Sequence, residues 1–180
     1  MGSLNDKRKI CCFTGHRQIP PENKYKLRVS VEETINMLLD EGVSIYISGG
    51  ALGFDLMAAR AVLRAKEKHP QVQLIMAIPC RDQHVRWCLD DRREYEEILK
   101  NADEIYCLND KYCTGCMHQR NRFMVEQSEI CVAFYNGGSG GTAHTLGLAN
   151  DLGLRVINLA NQYDLACVID QGDTKHYTKE

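Results

Sequence analysis

Short apolar runs alternate with longer stretches of helical periodicity along most of the chain, and this alternation restricts the fold more than any other feature. It predicts strands at Lys9–Phe13, Val43–Ile47, Val72–Ile78, Asp103–Leu108, Ile130–Tyr135 and Leu154–Leu159. It predicts helices at Asn23–Glu41, Phe54–Lys68, Gln83–Asn101, Cys116–Ser128 and Thr142–Leu152. Such units build right-handed crossovers and a parallel sheet. We therefore expect a doubly wound α/β domain, with a mainly parallel sheet of about six strands and helices on both faces.

Length and charge narrow the class of protein. The 180 residues suit one domain, which we expect at residues 9–160, between a disordered or tag-like N-terminus (1–8) and a C-terminal tail (161–180). A net charge of −2 provides no overall basic field, which argues against nucleic acid or an anionic membrane as a partner. No apolar stretch approaches the roughly 20 residues that span a bilayer. The polar N-terminus lacks an apolar signal core, so we expect a cytoplasmic protein.

Two glycine-rich loops each follow a predicted strand and precede a predicted helix. The first, residues 48–55, contains Gly49, Gly50 and Gly53, and the second, residues 136–142, contains Gly137, Gly138, Gly140 and Gly141. Glycine permits sharp turns and close approach of a ligand, and a helix N-terminus attracts anions. Because the carboxyl ends of parallel strands share one sheet edge, both loops are expected there. Together they predict a pocket for a phosphate or another anion.

Side chains near these loops supply candidate ligand contacts. Thr14, Gly15, His16 and Arg17 follow the first strand. Arg17 is suited to pairing with a phosphate through two hydrogen bonds, and His16 to donating a hydrogen bond or exchanging a proton near neutral pH. Asp55 either binds a ribose hydroxyl or stabilises the start of its helix. Thr142 is expected at the N-cap of the last helix, in contact with the anion.

Other motifs are weaker. Residues 138–143 match G-x-G-x-x-A, but no acidic residue ends the following strand, which disfavours a hydride-transferring dinucleotide site, and no P-loop motif is present. Arg120 and Arg122 are two residues apart and point to different faces of a helix. Cys113 and Cys116 form a C-x-x-C without the four ligands of structural zinc, so incidental thiols are favoured over a metal or redox site. Trp87 is read as packing, with base stacking as the alternative.

Four stretches together resemble the YpsA-like family of bacterial proteins, namely residues 14–17, 48–55, 116–124 and 140–142. This family belongs to the SLOG superfamily, whose members have a Rossmann-like fold and include the LOG proteins and the DNA-processing protein DprA. The resemblance covers about Lys9–Leu159. It implies a single Rossmann-like domain that binds a nucleotide or nucleotide-derived ligand, such as a nucleoside monophosphate or ADP-ribose.

The resemblance also implies roles for individual residues. The N–H groups of 137–142 would hold a phosphate, Arg17 and Arg120 would add charge-assisted bonds, and Asp55 would hold a ribose hydroxyl. No metal and no further cofactor are implied. The resulting expectation is a sensor or regulatory protein with a small-molecule nucleotide derivative as its partner. A protein partner fits a regulatory role, and analogy with LOG proteins suggests a homodimer.

Two alternatives remain open at this point. LOG enzymes hydrolyse the N-glycosidic bond of nucleoside 5′-monophosphates, and the run Arg120–Met124 resembles their Arg-x-x-x-Met helix. Aligning on Thr142 places Thr145 where their catalytic Glu stands, so a hydrolase would need His16 or Asp55 as the catalytic group. The other alternative is a DprA-like protein that binds single-stranded DNA, against which the lack of a basic patch in the sequence argues.

Overall fold

The computed structural model describes residues 9–162, so the expectations for residues 1–8 and 163–180 lie outside the described residues. The strands are β1 Lys9–Gly15, β2 Val43–Ser48, β3 Gln73–Ile78, β4 Glu104–Cys107, β5 Ile130–Phe134 and β6 Arg155–Asn158. The helices are α1 Pro21–Asp40, α2 Phe54–Lys68, α3 Leu89–Asn101, α4 Cys116–Glu126 and α5 Gly141–Asp151. A short 3-10 turn, Leu159–Gln162, follows β6.

The six strands form one sheet in the order β4-β3-β2-β1-β5-β6, and every neighbouring pair is parallel. From β1 the chain builds outward through β2, β3 and β4, and then returns to place β5 on the other side of β1. The strand order therefore reverses between β1 and β5, where Thr14 pairs with Ala133 and Gly15 with Phe134. In open sheets of this kind, ligands bind at the carboxyl ends of the strands at such a reversal.

The sheet is buried on both faces, as its apolar strands predict. Helices α1, α2 and α3 cover one face, where Cys11 and Phe13 of β1 belong to the core. Helices α4 and α5 cover the other face, where the alternate β1 residues Ile10 and Cys12 are buried. The fold class expected from the sequence is confirmed: a Rossmann-like α/β domain with a parallel six-stranded sheet and helices on both faces.

One helix begins later than its periodicity predicts. The sequence places a helix at Gln83–Asn101, but α3 begins at Leu89. The preceding residues form hydrogen-bonded turns, in which Val85 N–H donates to Asp82 O and Trp87 N–H donates to His84 O. The Gln83 side chain turns inward and donates to the buried Tyr95 hydroxyl over 2.9 Å. Tertiary contacts in the segment before α3 therefore replace the first turns of the predicted helix.

The remaining boundaries shift by a few residues. Thr14 and Gly15 belong to β1 rather than to the following loop, because β5 continues to pair with them. Helix α1 begins at Pro21 rather than at Asn23, as proline fits the first helical position, where no intrahelical N–H bond is lost. Within residues 9–162, no helix combines the length and hydropathy needed to cross a membrane.

Candidate functional site

A cleft of about 250 Å³ lies at the reversal point between β1 and β5. Its walls come from the ends of these strands, the start of α2, one face of α4 and the first turn of α5. Nine of the predicted ligand-binding residues line it: Thr14, Gly15, His16, Arg17, Asp55, Arg120, Gly140, Gly141 and Thr142. The fold thus brings together residues from four separate segments of the chain.

The first turn of α5 faces this cleft with unpaired N–H groups. Gly140 is the N-cap, with φ 138°, and no side chain of the described chain caps the helix. The expectation that Thr142 is the N-cap is therefore wrong; it is the second helical residue, because the left-handed geometry before the helix is available only to glycine. The N–H groups of Gly141, Thr142 and Ala143 remain as donors at the positive end of the helix dipole.

His16 fastens the two loops that border the cleft. Its N–H donates to Phe134 O over 3.2 Å, and Asn136 N–H donates to its Nε2 over 3.2 Å. The imidazole ring also stacks on Tyr135, with 5.5 Å between the ring centres. Because Nε2 accepts a hydrogen bond, the neutral ring carries its proton on Nδ1. This arrangement gives His16 a positioning role at the mouth of the cleft.

A buried pair of opposite charges lies deeper in the cleft. Asp55 is 5% exposed and Arg120 is 4% exposed. The guanidinium donates from Nη1 to Gly49 O, and from Nε to Asn121 Oδ1 over 2.7 Å. A Cβ atom at Gly49 would overlap the Arg120 guanidinium and lie 2.8 Å from Asp55 Oδ2. The absence of a side chain at residue 49 is therefore what allows both charged groups to occupy the cleft wall.

Burial raises the pKa of Asp55 to about 6, although Arg120, the Ala51 N–H and Arg17 each act to lower it. Burial likewise lowers the pKa of Arg120, which the nearby Asp55 carboxylate acts to raise. Titratable groups with shifted pKa values in a cleft are typical of functional sites. A carboxyl with this pKa changes its protonation state close to neutral pH, so it can bind a hydroxyl group either as acceptor or as donor.

The glycines of the first loop lie outside the lining and serve packing. Phe54 N–H donates to His16 O over 3.1 Å, so the start of α2 is satisfied by the protein itself. Gly53 has φ 82°, and a Cβ there would overlap the backbone of Arg17 and His16. Gly50 has φ 61°, and a Cβ there would overlap the side chains of Met76 and Tyr95. The first loop therefore packs the β1–α1 connection against α2. Of the two loops, only the second precedes a helix whose free N–H groups face the cleft.

The other sequence candidates lie apart from the lining. Gly137 and Gly138 border open space before α5. Arg122 is exposed and pairs with Glu126 over 3.2 Å. Trp87 packs against Tyr95, with 5.2 Å between ring centres. Cys116 is buried and Cys113 is exposed, and the described chain has no group of three or more metal-ligating side chains arranged around one point.

Thr145, the position aligned with the LOG catalytic Glu, lies outside the cleft lining. Thr145 is 1% exposed, and its hydroxyl donates to Gly141 O over 2.7 Å. The hydroxyl thereby satisfies a carbonyl of its own helix, one turn earlier.

Ser139, within the predicted phosphate loop 137–142, also lines the cleft, and sequence reasoning missed five further lining residues: Ala51, Met117, Asn121, Tyr135 and Ala143. A signal for some of them was present. Met117 is three residues before Arg120 and four before Asn121. These spacings place all three residues on one face of α4. Tyr135 directly follows the strand that borders the reversal point.

A parallel six-stranded sheet whose strand order reverses between β1 and β5, with helices on both faces, defines the class of Rossmann-like α/β domains. Within this class, the model of the YspA SLOG family (YpsA) matches residues 12–150. The chain belongs to the YspA SLOG family.

Individual relatives agree with this assignment. The SPbeta prophage-derived protein YoqJ of Bacillus subtilis (strain 168) is 36% identical over 138 residues, which cover 70% of this chain and 79% of YoqJ. Among solved structures, DNA processing protein A from Streptococcus pneumoniae aligns with a TM-score of 0.62 and 18% identity, over 83% of this chain and 50% of that chain.

DNA processing protein A from Helicobacter pylori, whose structure concerns its single-stranded DNA binding mode, aligns with a TM-score of 0.59 and 20% identity. That alignment covers 82% of this chain and 63% of that chain. Both solved structures share the fold with this chain, and this chain spans only part of their length.

Proposed function

We propose that the protein binds a nucleotide or nucleotide-derived ligand in the cleft and acts as a sensor or regulatory protein. The single observation that carries this proposal is the convergence of the first turn of α5 with Arg17 and Arg120 on one cleft. Three unpaired N–H groups and two guanidinium groups form a set of donors suited to a phosphate. A regulatory protein would pass the bound state to a protein partner or a second copy of this chain.

Asp55 adds a contact for a sugar. Its carboxyl lines the same cleft as the phosphate donors and is shielded from bulk water. A ribose hydroxyl would satisfy this carboxyl by hydrogen bonding, as acceptors of this type do in nucleotide sites. The phosphate donors on α5 and the carboxyl on α2 suit the 5′-phosphate and the ribose of a nucleotide.

A single N–H group provides the test. Gly141→Pro removes one donor from the first turn of α5, where proline fits the helix, whereas Gly141→Ala keeps that donor. Titration calorimetry with AMP should show at least tenfold weaker binding for Gly141→Pro, since a hydrogen bond to a charged group contributes about 1.5–3 kcal/mol. Gly141→Ala should bind as the unaltered protein does. Equal affinity in the two variants, or no AMP binding at all, would contradict the proposal.

A second candidate, hydrolysis of the N-glycosidic bond of a nucleoside monophosphate, rests on the buried carboxyl of Asp55 in the same cleft. In that reaction the C1′–N bond breaks, the protonated carboxyl gives its proton to the departing base, and water supplies hydroxide to C1′ and a proton to the carboxylate. Release of free adenine from AMP that disappears in Asp55→Asn, while AMP still binds, would establish it. AMP binding without release of adenine would exclude this hydrolysis and favour the sensor or regulatory role.

A further inference from the structure

The cleft is small for a complete nucleotide. Its volume of about 250 Å³ lies below the approximately 300–1,000 Å³ of typical sites for small-molecule ligands. A ligand whose phosphate lies at α5 therefore continues beyond the cleft. The residue that marks the exit is Arg17, which lines the cleft and also lines a neighbouring groove of about 580 Å³.

This groove runs between α1 and α2 and is rich in cations. Its lining includes Arg17, Lys24, Arg28, Arg60 and Arg64. Two of them are already neutralised: Arg60 pairs with Glu94 over 3.1 Å and with Glu97 over 2.9 Å, and Arg64 pairs with Glu32 over 2.7 Å.

Three cations of the groove remain without a carboxylate. Arg17, Lys24 and Arg28 form no ion pair with any residue in the range 9–162 and are exposed. Two carboxylates line the groove, Asp91 and Glu94, and Glu94 is already paired with Arg60. The groove therefore retains a local excess of positive charge, although the whole chain has a net charge of −2.

The floor of the groove is apolar, formed by Ile19, Leu56 and Met57. Cations at the rim with apolar side chains beneath suit a group that combines a phosphate with a flat or aliphatic body. A second concavity that Arg17 also lines differs in charge: its other lining residues are His16, Gln18, Ile19, Pro20, Pro21, Phe134 and Asn136, so Arg17 is its one Arg or Lys side chain. The positive charge therefore favours the groove between α1 and α2 as the place where an anionic part of the ligand beyond the cleft would bind.

We propose that the groove is the second half of the ligand site and takes the second phosphate-bearing unit of a dinucleotide-sized ligand, with Arg17 contacting both halves. This inference rests on the proposed function, because it assumes that the first phosphate lies at α5. It names the ligand class as two linked nucleotide units rather than a mononucleotide.

The experiment compares two probes and two variants. The probes are AMP and 5′-phosphorylated adenylyl-adenosine (pApA), which carries one further nucleotide unit. The groove variant is Lys24→Gln/Arg28→Gln, and the matched control is Lys26→Gln/Lys68→Gln, which removes two exposed cations of the same helices outside the groove. Thermal unfolding first confirms that both variants are folded.

We expect pApA to bind at least tenfold tighter than AMP, since its second phosphate gains a charge-assisted contact that AMP lacks. The groove variant should lose this advantage and bind both probes with the AMP affinity of the unaltered protein, and the control should keep it. Equal binding of the two probes by the unaltered protein would overturn the inference, as would a groove variant that retains the advantage.

The outcomes separate this inference from the proposed function. If AMP binds and is weakened by Gly141→Pro while pApA binds no more tightly, the cleft stands and the groove assignment fails. If neither probe binds, both fail. A twelve-residue oligodeoxyadenylate provides a third arm: binding tighter than pApA and steeply weakened by salt would assign the groove to a nucleic-acid strand and overturn a dinucleotide-sized ligand.

Discussion

His16 and Asn136, which are 120 residues apart in the chain, are joined by a hydrogen bond of 3.2 Å from the Asn136 N–H to the His16 Nε2. This bond joins the β1–α1 loop to the β5–α5 loop beside the cleft. Both loops leave the sheet at the point where strand order reverses. The side chain of His16 therefore sets the spacing between Arg17 and the first turn of α5.

Replacing His16 with alanine should loosen this connection. The variant loses one hydrogen bond and the ring contact with Tyr135, so we expect a loss of about 1 kcal/mol in the free energy of unfolding. AMP affinity should fall several-fold as the two loops separate. Denaturant unfolding and calorimetry measure the two effects. His118→Ala, at an exposed histidine of α4 outside the cleft lining, is the control; an equal affinity loss there would contradict the assignment.

The pKa of Asp55 predicts how stability depends on pH. The folded pKa of about 6 lies above the value of about 3.9 in an unfolded chain. Between these values the folded state binds more protons, so this carboxyl makes the protein less stable as pH rises from about 4 to 6. Asp55→Asn mimics the neutral carboxyl. At pH 8 its free energy of unfolding should exceed that of the unaltered protein by up to ~3 kcal/mol, and near pH 4 the two should be equal.

Denaturant titrations of both proteins at several pH values test this prediction. Asp40→Asn, which removes an exposed carboxylate of α1, is the matched control. A constant difference between Asp55→Asn and the unaltered protein from pH 4 to 8 would show that Asp55 does not titrate in this range.

Replacing Arg120 should show how strongly the buried charges of Arg120 and Asp55 are coupled. Arg120→Met leaves Gly49 O unpaired and takes away the positive charge that lowers the pKa of Asp55, so that pKa should rise further. We expect a loss of ~3 kcal/mol at pH 8, typical of removing one partner from a buried charged site. Adding Asp55→Asn should recover part of it. A double-mutant cycle measures the coupling, and strictly additive effects would mean that the two groups act independently.

Two glycines that both have a positive φ should respond differently to alanine. Gly53 has φ 82° and lies against the backbone of Arg17, whereas Gly137 has φ 112° and borders open space. Gly137→Ala should cost about 1 kcal/mol from backbone strain alone. Gly53→Ala should cost at least twice as much and displace Arg17, which weakens AMP binding. Thermal unfolding and calorimetry report both; equal costs would show that the contact with Arg17 is unimportant.

The alternation of strands and helices was sufficient to predict the fold, because each apolar run is short, lies between helical periods and becomes a buried strand. The late start of α3 was not predictable in the same way. The segment before it has helical periodicity, and only the tertiary bond from Gln83 to Tyr95 reveals why it forms turns instead.

The site shows the same division between local and tertiary information. Loop position predicted that Arg17, Asp55 and the first turn of α5 would lie at one sheet edge, and they line one cleft. Both loops are rich in glycine and precede a helix, yet the start of the helix after the first loop is satisfied by His16 O. Which of two glycine-rich loops keeps free N–H groups depends on packing between distant segments, and no local pattern encodes it.

The close approach of Gly49 to Arg120 and Asp55 has a practical consequence for genetics. One methyl group at residue 49 would overlap the guanidinium, so Gly49→Ala alters the interior of the cleft without replacing any polar side chain or changing the charge of the protein. A chromosomal allele with this one substitution would keep the outer surface that a binding partner meets. It would thus separate, in a living cell, what depends on the interior of the cleft from what depends only on the presence of the folded protein.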